Sequence, residues 1–199
     1  MRANDPRWLR PSPLGSVPVT PTLGTLAWRP AREVPALLAA PVAAALDAAP
    51  ALEAHVAAID PGLADTAAFC AAYGVPPGVS ANCVVVTGRR GEVTRTAACL
   101  VLATDRADVN RTVRNHLGVR KLSFAPTAEA TSRTAMEYGG ITPVGLPADW
   151  PLLVDRAVAA AAWAVVGSGV RGSKLAVRGA DLAGLPGAEV GDLTLPRRS

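Results

Sequence analysis

Only two side chains in this protein can do amine chemistry. Of its 20 basic residues, Lys121 and Lys174 are the lysines and the rest are arginines. Arginine stays protonated in proteins, so it serves as an anion contact and not as a proton carrier. Thiol and imidazole chemistry is equally sparse. Cys70, Cys83 and Cys99 are too widely spaced for a paired metal or redox motif. An odd, unpatterned set reads as reduced thiols of a cytosolic protein. Cys83 with His55 or His116 as base would make a nucleophile pair, but a lone cysteine in a valine run is more often inert core. Two histidines are too few for a zinc site, and no metal or cofactor is expected. No G-x-S-x-G nucleophile elbow is present.

Two glycine-rich stretches remain. EYGGITPVGLPADWPLLVD, Glu137 to Asp155, sets Gly139, Gly140 and Gly145 among Pro143, Pro147 and Pro151. Proline fixes φ and glycine reaches conformations closed to other residues, so this is a loop of definite shape. Alone it reads as a long turn between two core elements. Gly167-Ser168-Gly169-Val170-Arg171-Gly172 matches G-x-G-x-x-G, but a dinucleotide fingerprint must open a helix inside a βαβ unit. Here the strand-like SKLAV follows, with too little chain beyond it for such a domain. The stretch reads instead as a bend between two strands, its amides open to a ligand.

The elements around these residues follow from periodicity and punctuation. Six prolines within residues 1–30 exclude a long helix there, so residues 1–32 form an extended arm that can dock Trp8 and Trp28, and 33–195 form one domain. Glu33–Ala49 reads as a helix or helix pair broken at Pro41, and Ala51–Ile59 as helix or strand. Asp65 or Thr66 caps a helix that Gly74 stops. Ala81–Thr87 and Thr94–Thr104 form a hairpin across Arg89–Glu92. Val109, Val113 and Leu117 give a helix its buried stripe. Arg106, Arg111 and Arg114 lie off that stripe, as a solvated face or a phosphate-tracking patch. A strand at Arg120–Ala125 and a helix from Pro126 lead into the glycine loop. Short strands at Leu152–Val154, Ala164–Val166 and Ser173–Val177 and a helix at Ala180–Leu185 complete the domain. Without regular βαβ alternation, the expected fold is α/β with a mixed, barrel-like, partly closed sheet and surrounding helices.

Half the residues are apolar, which excludes a disordered chain. The net charge of +4 favours an anionic partner only weakly. The N-terminus has no apolar signal core and the longest apolar run is short of a membrane span, so a cytoplasmic protein with no membrane partner is expected.

In order and spacing, IDPGLADTAAFCAAYGV, ANCVVV, TDRADVNRTVRNHLGVRKLSFA, GGITPVGLP, PLLVD, VVGSGVRGSKLAV and DLAGLPGAEVGDL resemble the YbaK/prolyl-tRNA editing domain family over roughly Ile59 to Asp192. The resemblance implies a mixed α/β barrel-like fold around a small-amino-acid pocket. It also implies a free-standing hydrolase of the ester in mischarged tRNA, often alanine or cysteine on proline tRNA. The implied partners are the acceptor end of an aminoacyl-tRNA and, for some members, a synthetase. The family's G-x-x-x-P loop falls on Gly139–Pro143. Gly139, Gly140, Ile141, Thr142, Pro143 and Gly145 are thus expected at the substrate, with Gly167, Ser168 and Gly169 alongside.

One position departs from the pattern. Asn82 stands where the family's strand motif carries a lysine considered essential. Asparagine orients a carbonyl or a water but moves no proton at neutral pH. Three accounts are open: catalysis by loop amides and a substrate hydroxyl with Asn82 positioning, a lysine supplied from elsewhere by Lys121 or Lys174, or binding of an aminoacylated ligand without hydrolysis.

Overall fold

A computed structural model describes residues 20–195. Trp8 lies outside that range. Trp28 packs into the core, its indole donating to the Leu23 carbonyl at 3.0 Å.

The fold grows from one hairpin. The β-branched run of β3 (Ala81–Arg90) pairs along its whole length with β4 (Val93–Leu102) across the Gly91 turn. Residues alternate across a strand. Ala98, Leu100 and Leu102 therefore enter the main core, while Ala97, Cys99 and Val101 face the opposite layer. That second layer is the expected stripe of Val109, Val113 and Leu117. They lie on a π-helical turn, Val109–Val113, running into α3 (Arg114–Leu117), capped by Asp108 and ended by Gly118 at φ 63°.

Two sheets face each other across the main core. One has the order β5-β3-β4-β6-β9, adding β5 (Lys121–Phe124), β6 (Leu152–Asp155) and β9 (Ala188–Gly191) to the hairpin. The other has the order β1-β2-β8-β7, built from β1 (Arg29–Pro30), β2 (Ala54–Ala58), β7 (Ala164–Gly167) and β8 (Ser173–Val177). Trp28 and α2 (Thr66–Tyr73) cover its outer face through Phe69 and Cys70.

The mixed α/β fold is as expected, but among the described residues its strands form two sheets and no closed barrel. The sheets touch at an isolated bridge, Ser80 to Val165, and no ladder joins them among the described residues. The reason lies in β5. It pairs only with Val86–Arg89 of β3 before Pro126 turns the chain into α4 (Thr127–Thr134), which leaves the first half of β3 without a neighbour strand on that edge.

Two local expectations also change. Pro41 does not break a helix. It sits in the first turn of α1 (Ala40–Ala48), where its missing N–H costs nothing. Ala51–Ile59 resolves as strand β2, since burial on both faces suits a sheet interior. The short helices α5 (Arg156–Ala159) and α6 (Gly179–Ala183) flank β7 and β8 in sequence. No helix among the described residues is long and apolar enough to cross a membrane.

Candidate active site

The unpaired half of β3 becomes one wall of a cavity of about 410 Å³. Ala81–Val85 form that wall, Gly167 of β7 and Lys174 of β8 stand opposite, and Ala64–Thr66 close one end. Tyr138, Gly139 and Ile141 bring in the Gly/Pro loop, while Phe124 and Tyr138, 68% and 66% exposed, mark the rim.

Asn82 is held from outside its own strand. Asp65 caps α2 by accepting from the Ala67 amide, which places Thr66 so that its hydroxyl donates to Asn82 Oδ1 at 2.7 Å. That bond assigns the amide's orientation and turns the two Nδ2 hydrogens outward as donors. Asn82 is therefore set to hold an oxygen, and it has no proton to exchange.

Lys174 reaches the cavity from the second sheet. It is 7% exposed, donates to the Ala64 carbonyl at 2.8 Å and lies 5.3 Å from the centre of the Phe69 ring. Burial lowers its pKa below the ordinary lysine range; Asp65 and Cys70 partly oppose this and Arg171 adds to it. A buried ammonium with one hydrogen bond used keeps two donors for a ligand.

The loop is a rigid wall. Gly140 donates to the Glu137 carbonyl and accepts from the Gly169 amide at 2.8 Å, and the Glu137 amide returns a bond to the Gly169 carbonyl. This contact is glycine on glycine: a Cβ on Gly167 would overlap the Gly140 carbonyl, and one on Gly140 would meet the Val170 backbone. Arg171 ties the assembly together. Its amide donates to Glu137 Oε2 at 2.6 Å, and its guanidinium donates to the carbonyls of Tyr138 (3.2 Å) and Pro61 (3.0 Å). The amides of Gly139 and Ile141, both residues of the cavity wall, donate to no group among the described residues.

Of the residues expected at a ligand, Asn82, Gly139, Ile141, Gly167 and Lys174 line the cavity. Gly140, Thr142, Pro143, Gly145, Ser168 and Gly169 are not among its lining residues, and all but Gly145 are buried. Gly145, at φ 82°, packs against the Pro41 carbonyl. Ser168 Oγ lies 2.6 Å from Ser173 Oγ, which donates to Leu37. Lys121 does not reach the cavity; it lies in a second groove beyond Phe124, because β5 carries it to the far half of β3, opposite Arg89.

Cys83 borders the cavity without a base. His55 packs edge-on to Trp163, and His116 Nε2 sits 3.4 Å from Glu189; neither is among the residues lining it. Burial, reinforced by Cys99, pushes the Cys83 thiol far above its usual pKa, so it stays a thiol. Sequence reading missed Thr66 and Arg171 as site-builders. Thr66 carried only a helix-cap signal, and Arg171 was hidden inside the G-x-G-x-x-G stretch.

A family model described as "Aminoacyl-tRNA editing domain" matches residues 60–185. Solved structures share the fold at low identity. One is a proposed trans-editing enzyme for prolyl tRNA synthetase, 23% identical, TM-score 0.67, covering 79% of this chain and 96% of its own. A hypothetical protein is 21% identical with TM-score 0.68, covering 78% of this chain and 99% of its own. A third is a structure from a study grafting epitopes onto scaffold proteins, 22% identical, TM-score 0.66, covering 79% and 97%. No curated protein matches this chain.

Proposed function

This chain belongs to the aminoacyl-tRNA editing domain family, and on that premise we propose that it hydrolyses the ester joining a small amino acid, such as alanine or cysteine, to the 3′ end of a tRNA. The observation that carries this reading is the convergence of Asn82, Lys174 and the free amides of Gly139 and Ile141 on one cavity.

An aminoacyl ester is already activated, so hydrolysis needs an oriented water or ribose hydroxyl and stabilisation of the oxyanion that forms at the carbonyl. Preorganised donors in a water-poor site supply the second without reorganising. The Asn82 amide and the loop N–H groups are such donors. Lys174 adds the positive charge that Asn82, in the position of the family lysine, does not bring. A water, oriented by these donors or by the neighbouring ribose hydroxyl, adds to the carbonyl carbon and gives up a proton to solvent. The tetrahedral intermediate collapses, the acyl C–O bond breaks, and the ribose oxygen leaves with a proton from solvent, releasing the free amino acid. Ala81, Cys83, Val85 and Ile141 make the wall largely apolar. A wall of this kind selects by excluding larger side chains and separates near-isosteres poorly.

The test is deacylation of a panel of mischarged tRNAs. Release of a small amino acid by the protein, reduced in Asn82 and Lys174 variants, supports the reading. Failure to deacylate any member overturns it. Asn82 in the lysine position favours a second reading, a module that binds aminoacyl-tRNA or a synthetase without hydrolysis; tRNA binding without turnover is its signature.

A further inference from the structure

Beyond Phe124 lies a second groove of about 850 Å³ between the β3–β5 ladder and the π-helical turn. Arg89, Arg114, Arg120 and Lys121 line it, and Glu129 is its only carboxylate. Thr87, Thr94, Ser123 and Asn110 add neutral hydrogen-bonding groups. Arg89 and Lys121 are register partners across the ladder. Like charges directly opposite one another destabilise a sheet. Neither they nor Arg120 make a side-chain hydrogen bond or ion pair among the described residues, and all three are exposed. This juxtaposition costs the free protein stability, and an anion bridging the cations would remove the cost.

The chemistry selects the anion. Several cations spread along a groove with interspersed hydroxyls match a run of phosphates, since arginine, lysine, serine, threonine and asparagine carry most contacts to a nucleic-acid backbone. Continuity selects its course. Phe124 lines both the groove and the first cavity, and the residue is 68% exposed. A strand whose last sugar sits in the cavity passes over that ring, and aromatic faces exposed in this way stack unpaired bases.

We propose that this groove holds the phosphodiester backbone of the RNA strand whose 3′ end enters the first cavity, with Phe124 stacking an unpaired base between the two. The inference rests on the reading of the first cavity as the aminoacyl-ester site.

The experiment measures binding of an uncharged RNA hairpin, with and without a single-stranded 3′ overhang, across a salt series. Uncharged RNA keeps the result independent of hydrolysis. Arg89→Glu and Arg120→Glu are each expected to weaken binding at low salt by roughly tenfold and to flatten the log–log salt slope by about one for each phosphate no longer neutralised. Phe124→Ala is expected to weaken binding by roughly tenfold only for the overhang RNA. Arg29→Glu, on β1 of the other sheet, leaves affinity unchanged. Thermal melts of each variant matching the parent exclude loss of fold. The proposal is overturned by groove variants that bind as the parent does, by no binding at low salt, or by equal affinity for poly-glutamate of matched charge. Groove-dependent RNA binding without deacylation upholds the groove and overturns the hydrolase; deacylation with unaltered binding in the groove variants does the reverse.

Discussion

Thr66 and Asn82, 16 residues apart in sequence and on different elements, share the hydrogen bond that orients the candidate site: the Thr66 hydroxyl donates to Asn82 Oδ1 at 2.7 Å. A polar side chain on a strand wall is thereby turned into a fixed pair of donors by the first residue of a helix. The arrangement separates two roles, since Asn82 faces the ligand and Thr66 holds Asn82.

Asn82→Ala should lower single-turnover deacylation by about 10²-fold, the typical effect of removing one oxyanion donor. Thr66→Val should lose less, because the amide survives but its orientation is freed. An Asn82→Ala enzyme with unchanged turnover would remove Asn82 from the chemistry.

Lys174→Met should abolish most turnover while leaving the fold intact, because the buried ammonium's desolvation cost disappears with the charge. Two pH effects follow from its lowered pKa. Where the ammonium stabilises the oxyanion, turnover falls as pH rises through that pKa, at lower pH than an ordinary lysine would impose. Stability has the opposite slope. Between the folded pKa and the unfolded value near 10.5 the unfolded chain binds more protons, so Lys174 makes folding more favourable as pH rises across that window. Denaturant melts against pH, repeated on Lys174→Met, measure this effect.

Gly167→Ala should destabilise the protein by about 1–3 kcal/mol, the range for overpacking a close backbone contact, and should lower turnover by displacing the loop from Gly140. Gly78→Ala is the matched control. A Cβ there meets nothing and its φ is not positive, so its stability should be unchanged or slightly raised. Urea midpoints compare the two.

His55 offers a test away from the site. Burial lowers its pKa below 6.5, Glu53 opposing and Arg178 adding to the shift. Stability should therefore fall as pH drops below about 6.5 towards the folded pKa, because the unfolded chain takes up the proton first. His55→Gln should lose this part of the acid sensitivity, read as a smaller drop in melting temperature between neutral and mildly acidic buffer.

Local chemistry carried much of this structure in plain view. Asp65 and Gly74 bound α2, the Gly91 turn closes the β3–β4 hairpin, and every fourth residue from Val109 to Leu117 is buried. Each of these depends on residues a few positions apart, so a linear reading reaches it. The Gly139–Pro143 stretch differs: its own residues read only as a long turn of definite shape, and it was the family resemblance that pointed it at a substrate.

What sequence could not decide was which strands fail to pair and which side chains meet in the gap. Closure of the sheet depends on where β5 stops, and the cavity exists because it stops at Phe124. Lys174 joins Asn82 there, while Lys121 is carried past it on β5. A lysine's place along the chain says nothing of this. The two lysines part because strand register and the opening between two sheets are set by packing over the whole core, and no local run of residues encodes that.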